Sequence, residues 1–298
     1  MSKRTSGNNI NGIILLNKRL GVSSNRALQE VRRLFNANKA GHTGSLDPLA
    51  TGVLPLCFGE ATKVSALMLA DDKRYSVTIQ LGVLTDTGDK EGQVLITQPV
   101  PDISPEQLNT CLKHFTGAQQ QIPPMYSALK YQGKKLYELA REGITIERVA
   151  RDITIFSINV LSFENEQLTL DVHCSKGTYI RSLAQDIGEY FNCGGNVIAL
   201  HRTQAGIFDI SQTKTLDELT ALSFAELKAS LLAVDIPLQH YRALTLDENQ
   251  TARVQQGQVI DIISDTAQGL LRLYHDNAFL GLGELSDNRL APKRIFNL

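Results

Sequence analysis

The order of strand-like and helix-like segments restricts the fold of this 298-residue chain more than any other feature. Residues 73–81 alternate apolar and polar side chains, which is typical of a strand with one buried face. Residues 177–191 instead place apolar side chains on one side at helical spacing. The two kinds of segment mix without the regular alternation of a doubly wound protein. The pattern therefore predicts an α+β fold with a mixed, largely antiparallel sheet.

Local signals divide the first 240 residues further. Ser23 or Ser24 is placed to cap a helix, and Pro105 stands at the first position of another. We expect strands at 11–16, 93–97, 153–163, 167–175 and 196–202, and a helix at 61–69. Residues 41–59 are rich in glycine and predict a loop, and residues 119–143 predict a polar and aromatic connection that ends in a short helix.

The composition changes after about residue 240. A short helical pattern at 247–257 is followed by strand-like runs that Asp276-Asn277 and Asp287-Asn288 separate. We therefore expect two domains, residues 1–240 and a β-rich module of residues 241–298. The second is small for a domain that folds alone.

Composition and motifs exclude several classes of protein. A hydrophobic content of 42% is incompatible with wholesale disorder, and no apolar run is long enough to span a membrane. The four cysteines lack C-x-x-C spacing, so we expect free thiols and a cytoplasmic location. The chain contains no P-loop, no G-x-S-x-G elbow and no histidines at metal-ligand spacing, and we expect no metal site.

Charge is balanced in total and uneven along the chain. The net charge is −1, yet the first 46 residues contain eight Lys or Arg and one acid, Glu30. A second basic stretch covers residues 130–151. Such a distribution fits a basic face that binds a polyanion, and it also fits an ordinary solvated surface. The charges alone leave both interpretations open.

Asp47 stands out within the segment GHTGSLDPLATG of residues 41–52. The glycines allow tight turns and a close approach of the backbone to a ligand, and Pro48 restricts Asp47 to extended geometry. A carboxylate on so constrained a backbone, with apolar neighbours, is a candidate nucleophile or base. An aspartate that caps its own turn fits the same residues equally well.

Four segments, in order and at suitable spacing, resemble the bacterial tRNA pseudouridine synthases of the TruB type. They are GHTGSLDPLATGVLP, KRYSVTIQLGVLTDTGDKEG, IPPMYSALKYQGKKLYELAREG and CSKGTYIRSLAQDIG. The resemblance implies a catalytic domain of the pseudouridine synthase type, with an RNA-clamping insertion around 119–151. It implies a PUA-like RNA-binding module at the C-terminus, and no cofactor. The expected activity is isomerisation of uridine 55 in the tRNA T-loop, by a monomer without an obligate protein partner.

The resemblance also implies roles for individual residues. Asp47 matches the essential aspartate, which would attack C1′, assist deprotonation at C2′ or add to C6 while the base is detached and rejoined through C5. His42 matches the histidine that fills the space of the flipped base, and Tyr75 the tyrosine that stacks on that base. Arg181 matches the arginine that pairs with the aspartate, and we expect this pair to lower the pKa of the carboxyl. The other expected RNA contacts are Tyr179, Leu200, Asp89, Lys18 and Lys130.

Two positions depart from the family pattern. Ser45 stands where the family often has threonine or alanine, which is a small change. His201 stands where the family usually has arginine, which puts one phosphate contact in question. An alternative function is that of a non-catalytic RNA-folding protein acting on the tRNA elbow. Such a protein would share the basic face and His42 and would not need Asp47.

Overall fold

The computed structural model describes residues 7–262 and 268–298. Seven α-helices form within the described residues 7–240: α1 (Ser24–Leu34), α2 (Ser65–Leu69), α3 (Pro105–His114), α4 (Leu136–Arg141), α5 (Ile180–Tyr190), α6 (Leu216–Ala221) and α7 (Phe224–Ala229). The strands of the same part are β1 (Gly12–Lys18), β2 (Ala40–His42), β3 (Ala50–Phe58), β4 (Lys73–Leu81), β5 (Val83–Thr85), β6 (Val94–Thr97), β7 (Gly117–Gln121), β8 (Lys130–Tyr131), β9 (Lys134–Lys135), β10 (Arg151–Glu164), β11 (Gln167–Cys174), β12 (Gly195–Ala205) and β13 (Phe208–Asp209).

A nine-stranded mixed sheet organises this part of the chain. Its order is β1-β3-β12-β4-β11-β10-β7, with β2 added to β3 and β13 added to β12. Only β3 and β12 pair in parallel among these strands of the described chain. The predicted α+β fold with a largely antiparallel, mixed sheet is thereby confirmed.

The sheet packs against helices on one face, and its strands β1 and β3 are also covered on the other face. On one face the apolar stripes of α1, α3 and α5 pack against strands β3, β4 and β11 in one large cluster. On the other face a second cluster joins Ile13, Val53 and Met68 to Phe279 and Phe296 of the C-terminal module. The alternation at 73–81 is seen directly, since every second side chain of β4 is buried. Burial on two sides makes this part of the sheet a rigid support for loops at its edge.

β3 and β7 are the longest of the strands that lie where the sequence predicted a loop or connection. β3 occupies the second half of the glycine-rich segment, and its residues are almost all buried. Pro55 fits there because β3 changes partner at that point, from β12 at residues 50–52 to β2 at residues 56–58. β7 is the polar run GAQQQ, which pairs with β10 at the sheet edge and carries no apolar alternation. The prediction of a loop was wrong at both positions.

The predicted helix starts are confirmed. The Ser23 side chain accepts a hydrogen bond from the Arg26 backbone N–H, and Ser104 caps α3 with Pro105 at its first position. The predicted helix at 61–69 is divided into a 3₁₀ turn (Gly59–Lys63) and the short α2. The predicted strand at 93–97 is β6, which pairs with β5 in a separate two-stranded sheet.

The C-terminal part forms a sheet of its own with the order β14-β16-β17-β18-β15. Its elements are β14 (Ala243–Thr245), α8 (Glu248–Gln255), β15 (Ile260–Asp261), β16 (Gly269–His275), β17 (Ala278–Ser286) and β18 (Arg289–Ile295). Polar contacts attach it to the first part: Lys63 Nζ donates to the Ile295 carbonyl at 2.7 Å, and the Asn297 N–H donates to Glu60 Oε2 at 2.8 Å. The division at residues 240 and 241 remains our proposal.

All four cysteines, Cys57, Cys111, Cys174 and Cys193, are free and buried. Burial raises the pKa of the Cys57, Cys111 and Cys174 thiols to about 12, so these three carry no reactive thiolate near neutral pH. No helix within 7–262 or 268–298 has the length and apolar content to cross a membrane.

Candidate active site

Asp47 lies in the turn that leads from β2 into β3. Its backbone carbonyl accepts a hydrogen bond from the Ala50 N–H at 3.0 Å, which starts β3 immediately after the turn. Its carboxylate Oδ2 lies 2.8 Å from Nε of Arg181. The carboxylate is 42% exposed, whereas the arginine side chain is 5% exposed. The interpretation of Asp47 as a turn cap is therefore not supported, because its side chain reaches a different element and remains open to solvent.

Arg181 connects three separate segments at this point. It is held in the first turn of α5, whose apolar residues Ile180, Leu183 and Ile187 are buried against the sheet. Besides the contact with Asp47, its Nη1 donates to the Thr87 carbonyl at 2.7 Å and its Nη2 donates to the Tyr126 carbonyl at 2.7 Å. A planar guanidinium satisfied on each nitrogen has little freedom to turn. Arg181 thus holds the carboxylate in one orientation.

Asp89 supplies a second carboxylate beside the same guanidinium. Its Oδ2 lies 3.8 Å from Arg181 Nε, and its Oδ1 accepts hydrogen bonds from the Thr87 hydroxyl at 2.7 Å and the Glu91 N–H at 3.1 Å. The loop that carries Asp89 is fixed to β12, where the Lys90 N–H donates to the Val197 carbonyl at 2.9 Å. The site therefore contains two carboxylates that share one buried cation.

The pKa of Asp47 is raised, not lowered as the sequence predicted. The loops packed around the partly exposed carboxylate remove much of its hydration, and this desolvation raises the pKa most, while the charge of Asp89 raises it further. The Arg181 guanidinium opposes both effects without cancelling them. The prediction failed because it counted the arginine and left out the second acid and the desolvation, which come from distant segments.

This raised pKa predicts a pH dependence of the reaction. The expected role of Asp47 as nucleophile or base requires its ionised form, so that role predicts a single-turnover rate that falls by about tenfold per pH unit below the pKa of Asp47. That acid limb should lie above the ordinary value of 3.8. Asp89→Asn should move this acid limb of the pH–rate profile to lower pH. The substitution removes the negative charge beside Asp47 and leaves Arg181 paired with Asp47 alone.

The measurement is the rate of the isomerisation that the resemblance predicts, in a T-stem-loop RNA as a function of pH, with circular dichroism at each pH to verify folding. Glu91→Gln serves as the control, since it removes an acid of the same loop that forms no ion pair with Arg181 among the described residues. An identical acid limb in the parent and in Asp89→Asn would contradict the shared-cation arrangement.

The remaining residues expected near the carboxylate occupy the adjoining strand ends and loops. Tyr75 is 9% exposed near the start of β4, and Leu200, also 9% exposed, is paired with Ala50 at the start of β3. Tyr179 immediately precedes α5. Burial, together with the nearby charge of Arg202, lowers the pKa of His42. The imidazole is therefore neutral, which suits the expected role of His42 in filling the space of the flipped base.

Lys18 does not fit its expected phosphate contact. Its side chain is wholly buried, and its Nζ donates to the Val22 carbonyl at 2.7 Å and the Arg19 carbonyl at 3.1 Å. Desolvation lowers the pKa of Lys18 to about 8, and the charge of Asp47 acts in the opposite direction. We correct the assignment: Lys18 is an internal cation that faces Asp47. Lys130 is exposed on the β8–β9 hairpin, away from this cluster in sequence, and its phosphate contact remains a prediction.

Two residues that shape the site, Gln121 and Arg202, had no recognisable signal in the sequence. Gln121, at the end of β7, makes reciprocal hydrogen bonds with the Tyr179 backbone, accepting from its N–H at 2.8 Å and donating to its carbonyl at 3.1 Å. Arg202, on β12, is 1% exposed and binds backbone carbonyls on both sides of Asp47. Both act on main-chain atoms, so no motif of side chains could have revealed them.

His201 occupies one of the two positions that depart from the family pattern. Its Nδ1 lies 2.7 Å from the Thr51 hydroxyl, which joins β12 to β3 beside the site. Desolvation lowers the pKa of His201. The residue is therefore neutral at physiological pH and serves as a cross-strand contact here. In the described residues, no group of three or more His, Cys, Asp and Glu side chains could hold a metal ion.

Comparison with known proteins decides the family. Residues 32–180 match the TruB family pseudouridylate synthase (N terminal domain), residues 181–239 the tRNA pseudouridylate synthase B C-terminal domain, and residues 243–296 the pseudouridine synthase II TruB, C-terminal, domain. The chain belongs to the TruB family. This TruB-family chain is accordingly a pseudouridine synthase, an isomerase, and the predicted resemblance is confirmed.

Two curated relatives of this TruB-family chain bear the name tRNA pseudouridine synthase B. The protein from Shewanella sp. (strain MR-7) is 47% identical over 308 residues, which cover 99% of this chain and 97% of the relative. The protein from Chromohalobacter salexigens is 48% identical over 300 residues, which cover 100% and 98%. The similarity thus extends over the whole length of all three chains.

Solved structures support the same fold at greater distance. A chain of a Cbf5-Nop10-Gar1 complex aligns with a TM-score of 0.72 at 22% identity, covering 95% of this chain and 84% of that one. A chain of the archaeal box H/ACA sRNP Nop10-Cbf5 complex aligns with a TM-score of 0.71 at 20% identity, covering 96% and 86%. At this identity the likeness concerns the fold of the TruB-family chain alone.

Proposed function

We propose that this chain converts uridine 55 in the T-loop of tRNA to pseudouridine. Relatives at 47–48% identity over the full length carry the name tRNA pseudouridine synthase B, and tRNA pseudouridylation follows for a chain of this family. The observation that carries the catalytic assignment is the half-exposed Asp47 carboxylate held 2.8 Å from the buried Arg181. A role limited to RNA folding is not favoured, because RNA folding would not require this ion pair.

The isomerisation balances without an external reactant. The N1–C1′ bond breaks, the uracil rotates, and a C1′–C5 bond forms. The proton lost from C5 is matched by the proton that N1 gains, so one carboxylate suffices to start and complete the exchange. Asp47 attacks C1′, takes a proton from C2′ or adds to C6 in the three routes open to it. Arg181 holds the carboxylate for each of them.

The target base has to leave the T-loop stack before either atom can react. His42 is neutral and half-buried, and its ring enters the vacated space without the cost of desolvating a charge. Tyr75 offers an aromatic face at the start of β4 for stacking on the extruded uracil. These two roles, and the contacts of Tyr179, Leu200 and Asp89 with substrate, form part of the proposal.

Phosphate binding falls to exposed cations rather than to the whole N-terminal basic stretch. Glu30 neutralises part of that stretch, because its oxygens lie 2.8 Å from Arg19 and 3.3 Å from Arg26. Arg33 and Lys39 are exposed, and so is Lys130 on the insertion. In the same insertion, Lys135 and Arg141 lie over the ring of Tyr137, at 5.3 and 5.4 Å from its centroid.

These cations predict a strong dependence of tRNA affinity on salt. Each phosphate contact releases condensed counterions, so six or more contacts lower the affinity by about 10³-fold between 50 and 200 mM salt. Filter binding of tRNA to the Asp47→Asn variant measures this without turnover. Lys130→Gln should reduce the slope of log affinity against log salt concentration by about one, which is the share of one phosphate contact. Equal affinity at the two salt concentrations would contradict the basic RNA-binding surface.

The function is tested by incubating the purified chain with a T-stem-loop transcript and mapping pseudouridine at nucleotide resolution. We expect modification at the position that corresponds to uridine 55. A transcript with cytidine at that position is the matched control and should remain unmodified. Binding without any pseudouridine would instead support the RNA-folding role, and modification elsewhere in the loop would contradict the proposed position.

Three further assignments complete the proposal. The chain acts as a monomer without an obligate protein partner, which the purified reaction examines directly. Residues 1–240 form the catalytic domain, with the insertion around 119–151 clamping RNA, and residues 241–298 form a PUA-like module. A tRNA substrate and four free thiols support a cytoplasmic location.

A further inference from the structure

Arg202 is the largest fully buried side chain of the catalytic part, and its environment is unusual for a cation. Its Nε donates to the Val53 carbonyl at 2.7 Å and its Nη2 donates to the Gly44 carbonyl at 3.2 Å. Within the described ranges no carboxylate forms an ion pair with it. A buried charge without an opposite charge is costly, and such residues persist where they serve a purpose beyond packing.

The two carbonyls that Arg202 binds lie on either side of Asp47. Gly44 precedes Asp47 in the turn, and Val53 follows it in β3. A single rigid guanidinium therefore fixes both ends of the segment that carries the carboxylate. The absence of a side chain at Gly44 leaves room for this contact, because a Cβ there would lie 3.3 Å from Arg202 Nη1. Gly52 serves the pairing of β3 with β12 instead, since a Cβ on it would lie 2.2 Å from the Arg202 backbone carbonyl oxygen.

Arg202 also faces the aromatic half of the site. It is paired in register with Tyr75 across β12 and β4, and with Gly52 across β12 and β3. Burial raises the pKa of the Tyr75 phenol, and the charge of Arg202 opposes this rise. The same charge lowers the pKa of His42. The guanidinium thus lies within electrostatic reach of both residues that are expected to handle the extruded base.

We propose that Arg202 is a positioning residue for the isomerisation, which fixes the Asp47 segment relative to Tyr75 and His42 without touching the substrate. Its role rests on the proposed function of Asp47. Arg181 orients the carboxylate group, whereas Arg202 sets the backbone from which that carboxylate projects. The two arginines therefore act on different degrees of freedom, and the loss of one is not compensated by the other.

Arg202→Lys tests the proposal, because lysine keeps the charge and loses the forked geometry that spans two carbonyls. We expect the single-turnover rate at saturating T-stem-loop RNA to fall by at least about tenfold, with RNA affinity within about threefold of the parent. Leu227→Ala, a core substitution in α7, is the control for stability alone. It should lower the melting temperature and leave the rate of the folded enzyme unchanged.

A double-mutant cycle separates positioning from general damage. Gly44→Ala introduces a Cβ against the Arg202 guanidinium at a backbone φ of +83°, whereas Gly21→Ala, at a φ of +78°, meets no atom within 4 Å and controls for the backbone strain alone. If Arg202 acts through the Gly44 contact, Arg202→Lys combined with Gly44→Ala should lose little more rate than the worse single variant. Independent, multiplicative losses would overturn the proposal, as would an unchanged rate in Arg202→Lys.

The two proposals fail in distinguishable ways. If Arg202→Lys does not fold, the comparison of Gly44→Ala with Gly21→Ala, which has the same backbone strain without the contact, still reports the contact, and equal rates in those two variants would contradict it. A parent enzyme that makes no pseudouridine would instead overturn the proposed function itself.

Discussion

Replacing Asp47 with asparagine should abolish pseudouridine formation while leaving tRNA binding largely intact. Asparagine keeps an oxygen that can accept from Arg181 Nε, so the site geometry persists, but the nucleophile or base is gone. We expect the single-turnover rate to fall by at least about 10³-fold, which corresponds to about 4 kcal/mol in activation free energy. Product is measured by nucleotide-resolution mapping, and binding by filter retention.

The Asp47→Asn substitution should not unfold the protein. Because the folded state raises the pKa of Asp47, the ionised carboxylate disfavours folding at neutral pH, and asparagine removes that cost. This stabilisation of the Asp47→Asn variant relative to the parent is present above the pKa of Asp47 and is lost below it.

Asp186 provides a matched control for the loss of a partly buried acid. Burial raises its pKa to about 6, and it lines a cavity of about 650 Å³ with His114 and Arg148, separate from Asp47. Asp186→Asn should retain the parent rate. A rate for Asp47→Asn within tenfold of the parent would refute the nucleophile role.

Replacing Arg181 with lysine should damage both catalysis and stability. Lysine can keep one contact with Asp47, but a single ammonium cannot also reach the Thr87 and Tyr126 carbonyls in the fixed fork of a guanidinium. We expect the rate to fall by about 10²-fold, because the carboxylate loses its orientation. Each buried carbonyl left without a donor should cost about 1–3 kcal/mol in the free energy of unfolding. Single-turnover kinetics and urea unfolding measure the two effects.

Arg74→Lys is the control for this substitution. Arg74 also forms a two-bond contact with a carboxylate, at 2.8 and 2.6 Å from Asp171, but its side chain is 44% exposed. Exposed pairs contribute about 0–1 kcal/mol, so the control should change stability little and leave the rate intact. If Arg181→Lys behaved like Arg74→Lys, the multivalent role of Arg181 would be wrong.

Much of the architecture could be predicted because its signals are local. The alternation in 73–81 and the serine caps of α1 and α3 depend on neighbouring residues alone, and these predictions are confirmed. β3 could not be predicted, since Gly52 and Pro55 normally oppose strand formation. They are accommodated only because β2 and β12 meet β3 at different residues. The sequence of a strand does not show which neighbouring strand pairs with it at each position.

The site was predictable in its membership more than in its electrostatics. The segment around Asp47 pointed to the carboxylate, the family resemblance implied its pairing with Arg181, and the structure brings both together with Asp89. The direction of the Asp47 pKa shift and the burial of Lys18 could not be deduced, because both depend on how distant loops exclude water. Gln121 and Arg202 remained hidden because their partners are main-chain atoms.

The hydrogen bond from Arg181 to the Tyr126 carbonyl links the insertion to the reaction centre. Tyr126 lies in the segment that leads into the β8–β9 hairpin, and the same guanidinium holds the carboxylate of Asp47. A displacement of that segment that breaks this bond changes the free energy of the catalytic ion pair. By thermodynamic reciprocity, the state of the ion pair then changes how tightly the insertion is held beside the site. The position of the insertion and the orientation of the Asp47 carboxylate are therefore coupled through a single side chain, that of Arg181.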